Sequence, residues 1–331
     1  MKQSIDVIGV GSPIVDLVAG VSDELLLSMP GEKGGMVLID SAAMVSILGN
    51  LDREPVKAPG GSAGNTTFAL ARLGMTCAFL GKLGDDEDGA YYRDAFRQAG
   101  GDRSRFKMDR TAPTASCISL VTPDSERTMR THLGAAMNLA PDEIAIDDFR
   151  GCRHAHIEGY LLFNRELLMA VLDTAKEAGC TVSLDLGSFE VVESARDLLP
   201  GILDRYVDIV FANEDEAACF CGSRDSTVGL ASLSRYCAVA AIKTGKDGAW
   251  LSGDCGAVHV PAVPVEAVLD TTGAGDLWAA GFLYGYLGGY PLSTCGRLGA
   301  ILGAEAVQCM GAALPEGQWK HIVETFKSIQ G

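Results

Sequence analysis

The stretch Asp270-Thr271-Thr272-Gly273-Ala274-Gly275-Asp276 runs directly into Leu277-Trp278-Ala279-Ala280-Gly281-Phe282-Leu283, an apolar segment that reads as a helix. Small residues at 273 to 275 let backbone N–H groups come close to an anion. The first turn of a helix leaves such donors unpaired, with a partial positive charge behind them. Asp276 then stands where a carboxylate could take the proton of an attacking hydroxyl. A tight turn with a capping aspartate would use the same residue types, so this stretch alone leaves both readings open.

Other stretches carry the same ambiguity one at a time. Pro59-Gly60-Gly61-Ser62-Ala63-Gly64-Asn65-Thr66 precedes a helical apolar pattern at Phe68, Leu70, Ala71 and Leu73 that ends at Gly74. A strand-like run from Ile5 to Gly11 leads into Ser12-Pro13-Ile14-Val15-Asp16, where Asp16 also suits a turn or a cap. Asn213-Glu214-Asp215-Glu216 follows the apolar strand Asp208-Ile209-Val210-Phe211, and helix-dipole interactions explain an acid-rich helix start without a ligand. Ile242-Lys243-Thr244-Gly245-Lys246-Asp247-Gly248 suits a hairpin turn equally well.

Taken in order, Gly60-Gly61 with Asn65, and the aspartate-to-aspartate stretch at 270–276, resemble the two signatures of the ribokinase-like (PfkB) family of small-molecule kinases. The remaining elements match that family in sequence order, and the resemblance covers nearly the whole chain. It implies that Asp276 is the base, with Gly273, Ala274 and Gly275 shaping an anion hole from the N–H groups of Ala274, Gly275 and Asp276. It implies that Asp16, Gly60, Gly61 and Asn65 hold the substrate hydroxyls, and that Asn213, Thr244, Gly245 and Gly248 lie on the ATP side. Asn213 and Glu216 would hold Mg²⁺ through waters, since a hard cation prefers oxygen ligands. Asp270 and Thr272 match ligands of an activating K⁺, completed by backbone carbonyls around 306–311.

The positioning elements follow from periodicity. Strands are expected at Asp6–Val10, Thr76–Leu80, His154–Glu158, Thr181–Asp185, Asp208–Phe211 and Ala238–Lys243, with helices between them, including Arg165–Ala178. This alternation indicates an α/β fold with a central, mainly parallel sheet covered on both faces. Helices at 273–287 and 293–309 would close it. Two segments break the alternation, about 12–40 and about 104–135, the latter with a hairpin of Ser116–Thr122 and Arg127–His132 around Pro123-Asp124-Ser125-Glu126. In the family, such insertions pair into a small β-sheet lid over the sugar site, which would exclude competing water. The expectation is one large ribokinase-like domain, 1–331, with those lid segments inserted.

Composition narrows the partners. With 27 Lys plus Arg against 43 acids the net charge is −16, which argues against nucleic acid as a ligand. Apolar residues make up 47% of the chain, ample for a large core. The 10 cysteines are scattered without metal-ligand spacing, as expected for buried thiols in a reducing compartment. No apolar run is long enough to cross a bilayer and no signal-like start is seen, so a cytoplasmic protein with no membrane partner is expected. His154-Ala155-His156 places two imidazoles on one strand face, but no further ligand lies near them in sequence. Gly9-Val10-Gly11 lacks the third glycine of a dinucleotide fingerprint, because position 14 is Ile.

For the substrate, Gly9–Asp16, Lys33-Gly34-Gly35-Met36, Glu126-Arg127-Thr128-Met129, Leu133-Gly134-Ala135 and Ile157-Glu158-Gly159-Tyr160-Leu161 look most like the adenosine-kinase branch. That implies transfer from Mg-ATP to the 5′-hydroxyl of adenosine. Two residues depart from it: Ser12 stands where the branch usually has Asn, and Arg130 adds a cation to the lid. Arg130 could pair with a substrate carboxylate or phosphate, or be a solvated lid residue. The alternatives are thus a sugar or sugar-acid kinase of ribose, fructose or 2-keto-3-deoxygluconate type, or a nucleotide or sugar sensor without turnover. Monomer and homodimer are both compatible with the sequence.

Overall fold

The computed structural model describes residues 4–29, 32–124, 126–254 and 256–330. Ser125 of the expected hairpin turn, and Pro30 and Gly31 of the first lid segment, lie outside them. The main sheet is eight-stranded, in the order β15-β14-β13-β12-β11-β10-β1-β5. Its strands are β1 (Ile5–Val10), β5 (Cys77–Leu80), β10 (Cys152–Glu158), β11 (Thr181–Asp185), β12 (Ile209–Asn213), β13 (Val239–Lys243), β14 (Ala249–Gly253) and β15 (Gly256–Val260). From β5 to β13 all pairings are parallel; β14 and β15 add an antiparallel edge.

The parallel strands are short apolar runs because both faces are covered by helices. Val7 and Phe211 point into one core and Ile8 and Val210 into the other. On the first face Phe211 meets Trp278 and Phe282 edge-on, with ring centroids 6.1 and 5.4 Å away. Such contacts contribute about 1 kcal/mol each beyond area burial, and they seat the helix Ala274–Leu287 with its N-terminus at the carboxyl ends of the strands. That edge is where parallel α/β sheets bind ligands.

The second sheet has five strands in the order β3-β9-β8-β2-β4: β2 (Ile14–Gly20), β3 (Met36–Leu38), β4 (Val56–Gly60), β8 (Ala115–Val121) and β9 (Arg127–His132). A short parallel pair, β6 (Lys82–Gly84) and β7 (Lys107–Asp109), joins the segments behind it. This sheet draws on residues out to Gly60, beyond the segment 12–40 expected from sequence. The missed strand, Val-Lys-Ala-Pro-Gly, sits at the sheet edge with little burial and no apolar alternation, so no period marks it.

Strand register fixes the two faces of this sheet. Ala58, Asp16, Cys117, Thr131 and Leu38 are successive cross-strand partners and so share one face. Val18, Ser119, Met129 and Met36 form the next row on that face. The opposite face carries Leu17, Ile118, Arg130 and Val37. Leu17 and Ile118 pack there with Leu26, Met44 and Ile47 of the helices Asp23–Leu27 and Ser41–Gly49.

Arg130 therefore fits neither reading offered for it. It is 0% exposed, which excludes a solvated lid residue. It also lies on the face away from Asp16, where Nη1 donates to the carbonyl oxygens of Met129, at 2.9 Å, and of Gly35.

Candidate active site

The two glycine-rich stretches, far apart in sequence, meet at Asp276. Its Oδ1 accepts a hydrogen bond from Ser62 Oγ and its Oδ2 one from Asn65 Nδ2, both at 2.8 Å. Thr66 Oγ1 donates to the Asp276 carbonyl oxygen at 3.0 Å. Ser62, Asn65 and Thr66 lie in the first turns of the helix Ser62–Arg72, so two helix N-termini converge on one carboxylate.

Burial and the neighbouring Asp185 charge raise the Asp276 pKa to about 7, against the opposing bonds from Asn65 and Ser62 and the Lys243 charge. A base poised near neutrality suits proton transfer from an alcohol.

Gly273 caps the helix Ala274–Leu287 at φ 72°, and a Cβ there would sit 2.3 Å from that of Ala312. Ala274 N–H donates to the Thr271 carbonyl oxygen at 3.2 Å, so one of the three donors expected of the anion hole is engaged. The N–H groups of Gly275 and Asp276, in the first helical turn, have no intrahelical acceptor.

The expected substrate residues cluster on the lid side. Asp16, on β2, has its pKa raised to about 6 by burial against the opposing Arg127 charge. A Cβ on Gly60 would lie 2.2 Å from Asp16 Oδ2, and one on Gly61, at φ 87°, would lie 2.1 Å from the Ser12 carbonyl oxygen. The paired glycines thus let Asp16 and the Ser12 loop close against the helix that carries Asn65.

The nucleotide-side residues lie at the ends of adjacent strands. Asn213 pairs in register with Lys243, and the turn Thr244–Gly248 follows at once, closed by Thr244 N–H to the Gly248 carbonyl oxygen at 2.8 Å. It is the turn between the antiparallel strands β13 and β14, so the hairpin description applies as well. Gly245 is exposed, whereas Thr244 and Gly248 are buried.

Asn213 and Glu216 form a capping box. Glu216 Oε2 accepts from Asn213 N–H at 2.8 Å and Oε1 from its Nδ2 at 2.7 Å, while Asn213 Oδ1 accepts from Glu216 N–H at 2.8 Å. Burial first, then the Asp185 charge, pushes the Glu216 carboxyl upward.

Asp270 and Thr272 are brought together, but with a cation already supplied by the protein. Arg127 Nη1 donates to Asp270 Oδ2 and, at 3.1 Å, to Thr272 Oγ1, while its Nη2 donates to Ser119 Oγ at 2.8 Å. Asp270 also accepts from Thr272 N–H, at 3.0 Å, and from Gly311 N–H, at 2.7 Å. Arg127 sits on β9, so this ion pair ties the five-stranded sheet to the loop that precedes the helix Ala274–Leu287.

Three further residues belong to the site. Glu158, at the end of β10, accepts from the N–H groups of Ser12, at 2.8 Å, and Ala63, at 3.2 Å, and burial raises its pKa to about 7. Asp185 and Lys243 form a buried pair at 2.8 Å beside Asp276. A charged residue ending an apolar strand was the available sequence signal for each of them.

His154 and His156 share a face as expected, but both bond to Ser183 Oγ at 2.8 Å. Burial pushes their pKa values down to about 3 and 4, and among the described residues no three His, Cys, Asp or Glu side chains converge to hold a metal. Nor is any described helix long and apolar enough to cross a membrane.

Comparison with known proteins agrees with this geometry. The sequence profile described as pfkB family carbohydrate kinase matches residues 34–319. A probable sugar kinase of Rhizobium etli CFN 42 superposes with a TM-score of 0.86 at 31% identity, over 99% of both chains. The adenosine kinase of Sinorhizobium meliloti gives 0.85 at 32%, over 98% of this chain and 99% of its own. Aminoimidazole riboside kinase of Salmonella typhimurium is 31% identical over 73% of this chain and 78% of its own.

Proposed function

The chain belongs to the pfkB family of carbohydrate kinases and is a phosphotransferase acting on an alcohol, and we propose that its acceptor is a nucleoside, adenosine first, phosphorylated at the 5′-hydroxyl. The carrying observation is the lid face. From Asp16 the shared row runs through Cys117 and Thr131 to Leu38, with Met129 and Met36 alongside. Three strand spacings put Leu38 roughly 14 Å from Asp16. Two such spacings bring Thr131, with Met129 alongside, within reach of a base whose ribose is held at Asp16, and Met36 and Leu38, 55% and 59% exposed, extend that apolar surface outward. A purine would cover that surface and a free sugar would not. The sugar or sugar-acid alternative rested on Ser12 and on Arg130, and of these Arg130 lies on the other face.

The chemistry asked of the protein is alignment and charge stabilisation. Asp16 and Asn65 orient the ribose; Asp276 accepts the proton of the attacking hydroxyl; the N–H groups of Gly275 and Asp276 receive the transferring phosphoryl oxygens. The Arg127–Asp270 pair holds the lid down and keeps water, a competing acceptor, away.

Magnesium fits the donor set. Glu216 is a buried oxygen donor, and with Asp185 and Asp276 it leaves excess negative charge around the Lys243 ammonium. No described trio of side chains would chelate a metal, which suits an ion that keeps most of its waters and arrives on the nucleotide. When bound, it would neutralise phosphate charge; Asn213 and Glu216 would hold it through waters.

The test is ADP formation from Mg-ATP across ribonucleosides, ketoses, aldoses and sugar acids. Turnover selective for adenosine supports the reading. Turnover confined to a sugar or sugar acid would refute it.

A further inference from the structure

We propose that Lys243 is a catalytic residue, its ammonium binding the phosphoryl group in transfer, and that Asp185 is the positioning residue that aims it. This inference rests on the kinase reading of the same site. Lys243 ends β13, and its side chain is directed along the carboxyl edge of the sheet toward the catalytic helix. Nζ lies 3.1 Å from where a Cβ on Gly275 would stand, so any oxygen held by the N–H groups of Gly275 and Asp276 meets the ammonium directly.

The surroundings are costly for a purely structural ion pair. Three carboxylates, of Asp185, Glu216 and Asp276, act on this one ammonium, and among the described residues only Asp185 bonds it, at 2.8 Å. Removing an ammonium from water costs several kcal/mol, and a single salt bridge often fails to offset it. Burial alone would drive the lysine toward its neutral form, yet the charges of Asp185 and Glu216 outweigh it and hold the pKa above the usual value. The site thus keeps a pre-aimed cation beside the anion hole, bonded to one carboxylate among the described residues. Bound γ-phosphate oxygens would add further acceptors.

In the transfer step the acceptor oxygen bonds to the γ-phosphorus as the bond to the ADP bridging oxygen breaks. That electron pair leaves on ADP, and the acceptor proton goes to Asp276. Lys243 keeps its protons throughout and offsets charge on the equatorial oxygens.

The test is steady-state kinetics of Lys243→Met and of the double variant Lys243→Met/Asp185→Asn, with ATP and ADP affinities by calorimetry. Lys243→Met is expected to lower kcat by about 100-fold or more while leaving the acceptor KM within about twofold. ATP affinity should fall more than ADP affinity, because the contact is to the γ-phosphate. The double variant should stay equally slow. If Lys243 merely neutralises Asp185, removing both charges restores turnover, and that recovery would overturn the proposal, as would equal losses of ATP and ADP affinity. If the unaltered protein turned over no acceptor, the kinase reading would fail, while the ATP-against-ADP comparison would still decide the role of Lys243.

Discussion

Asn65 Nδ2 donates to Asp276 Oδ2 at 2.8 Å across 211 residues of chain, joining the glycine-rich start of one helix to the carboxylate proposed as the base on another. This bond and that from Ser62 stabilise the ionised form and oppose the upward push of burial. Asn65→Ala should therefore move the acidic limb of the kcat/KM profile to higher pH, with the largest rate loss below pH 7. An unshifted profile would mean that Asn65 acts on substrate alone.

Stability should run opposite to activity at this residue. The folded carboxyl titrates at about 7 against 3.8 for the free group, so between those values the folded state holds a proton that the unfolded state has lost. Stability then falls as pH rises through that window, and the penalty is complete above about 7. Asp276→Asn removes it: the variant should melt above the parent at pH 8, with the difference shrinking toward pH 4. Thermal melts at the two pH values check this.

The guanidinium of Arg127 already occupies the Asp270 carboxylate and Thr272 hydroxyl assigned from sequence to K⁺. A monovalent cation would have to displace a charge held on the lid. Rates in potassium and choline salts at equal ionic strength are expected to agree within about twofold. Strong activation by potassium would mean that Arg127 leaves Asp270 during turnover.

Specificity should follow the lid face. Met129→Ala removes apolar surface worth about 1–2 kcal/mol when covered, which predicts an adenosine KM roughly 5- to 30-fold higher with kcat nearly unchanged. Arg130→Met, on the opposite face, should leave the adenosine KM within about twofold. Steady-state kinetics of both variants separate the faces, and a larger KM effect at Arg130 would contradict the assignment.

The parallel core was legible because its strands are short apolar runs bounded by turns; Thr181–Asp185 is found as expected and its neighbours within about two residues. The helix expected at 293–309 is Leu292–Ala306, its C-terminal end being the less certain because apolar residues continue past it. Site residues carried by short motifs were legible for the same local reason. What sequence could not supply is register. The face on which Arg130 lies depends on its pairing with Ile118 and Val37, and nothing local records that. Likewise the Asp185–Lys243 pair joins two strands separated by 58 residues, and only the sheet order brings them together.

Single-turnover ADP formation from Mg-ATP and adenosine tests directly whether Asp276 is the base of phosphoryl transfer. The expected result is a rate for Asp276→Asn lower by about 100-fold or more, with nucleotide and nucleoside affinities retained. A rate within a fewfold of the parent would contradict the account.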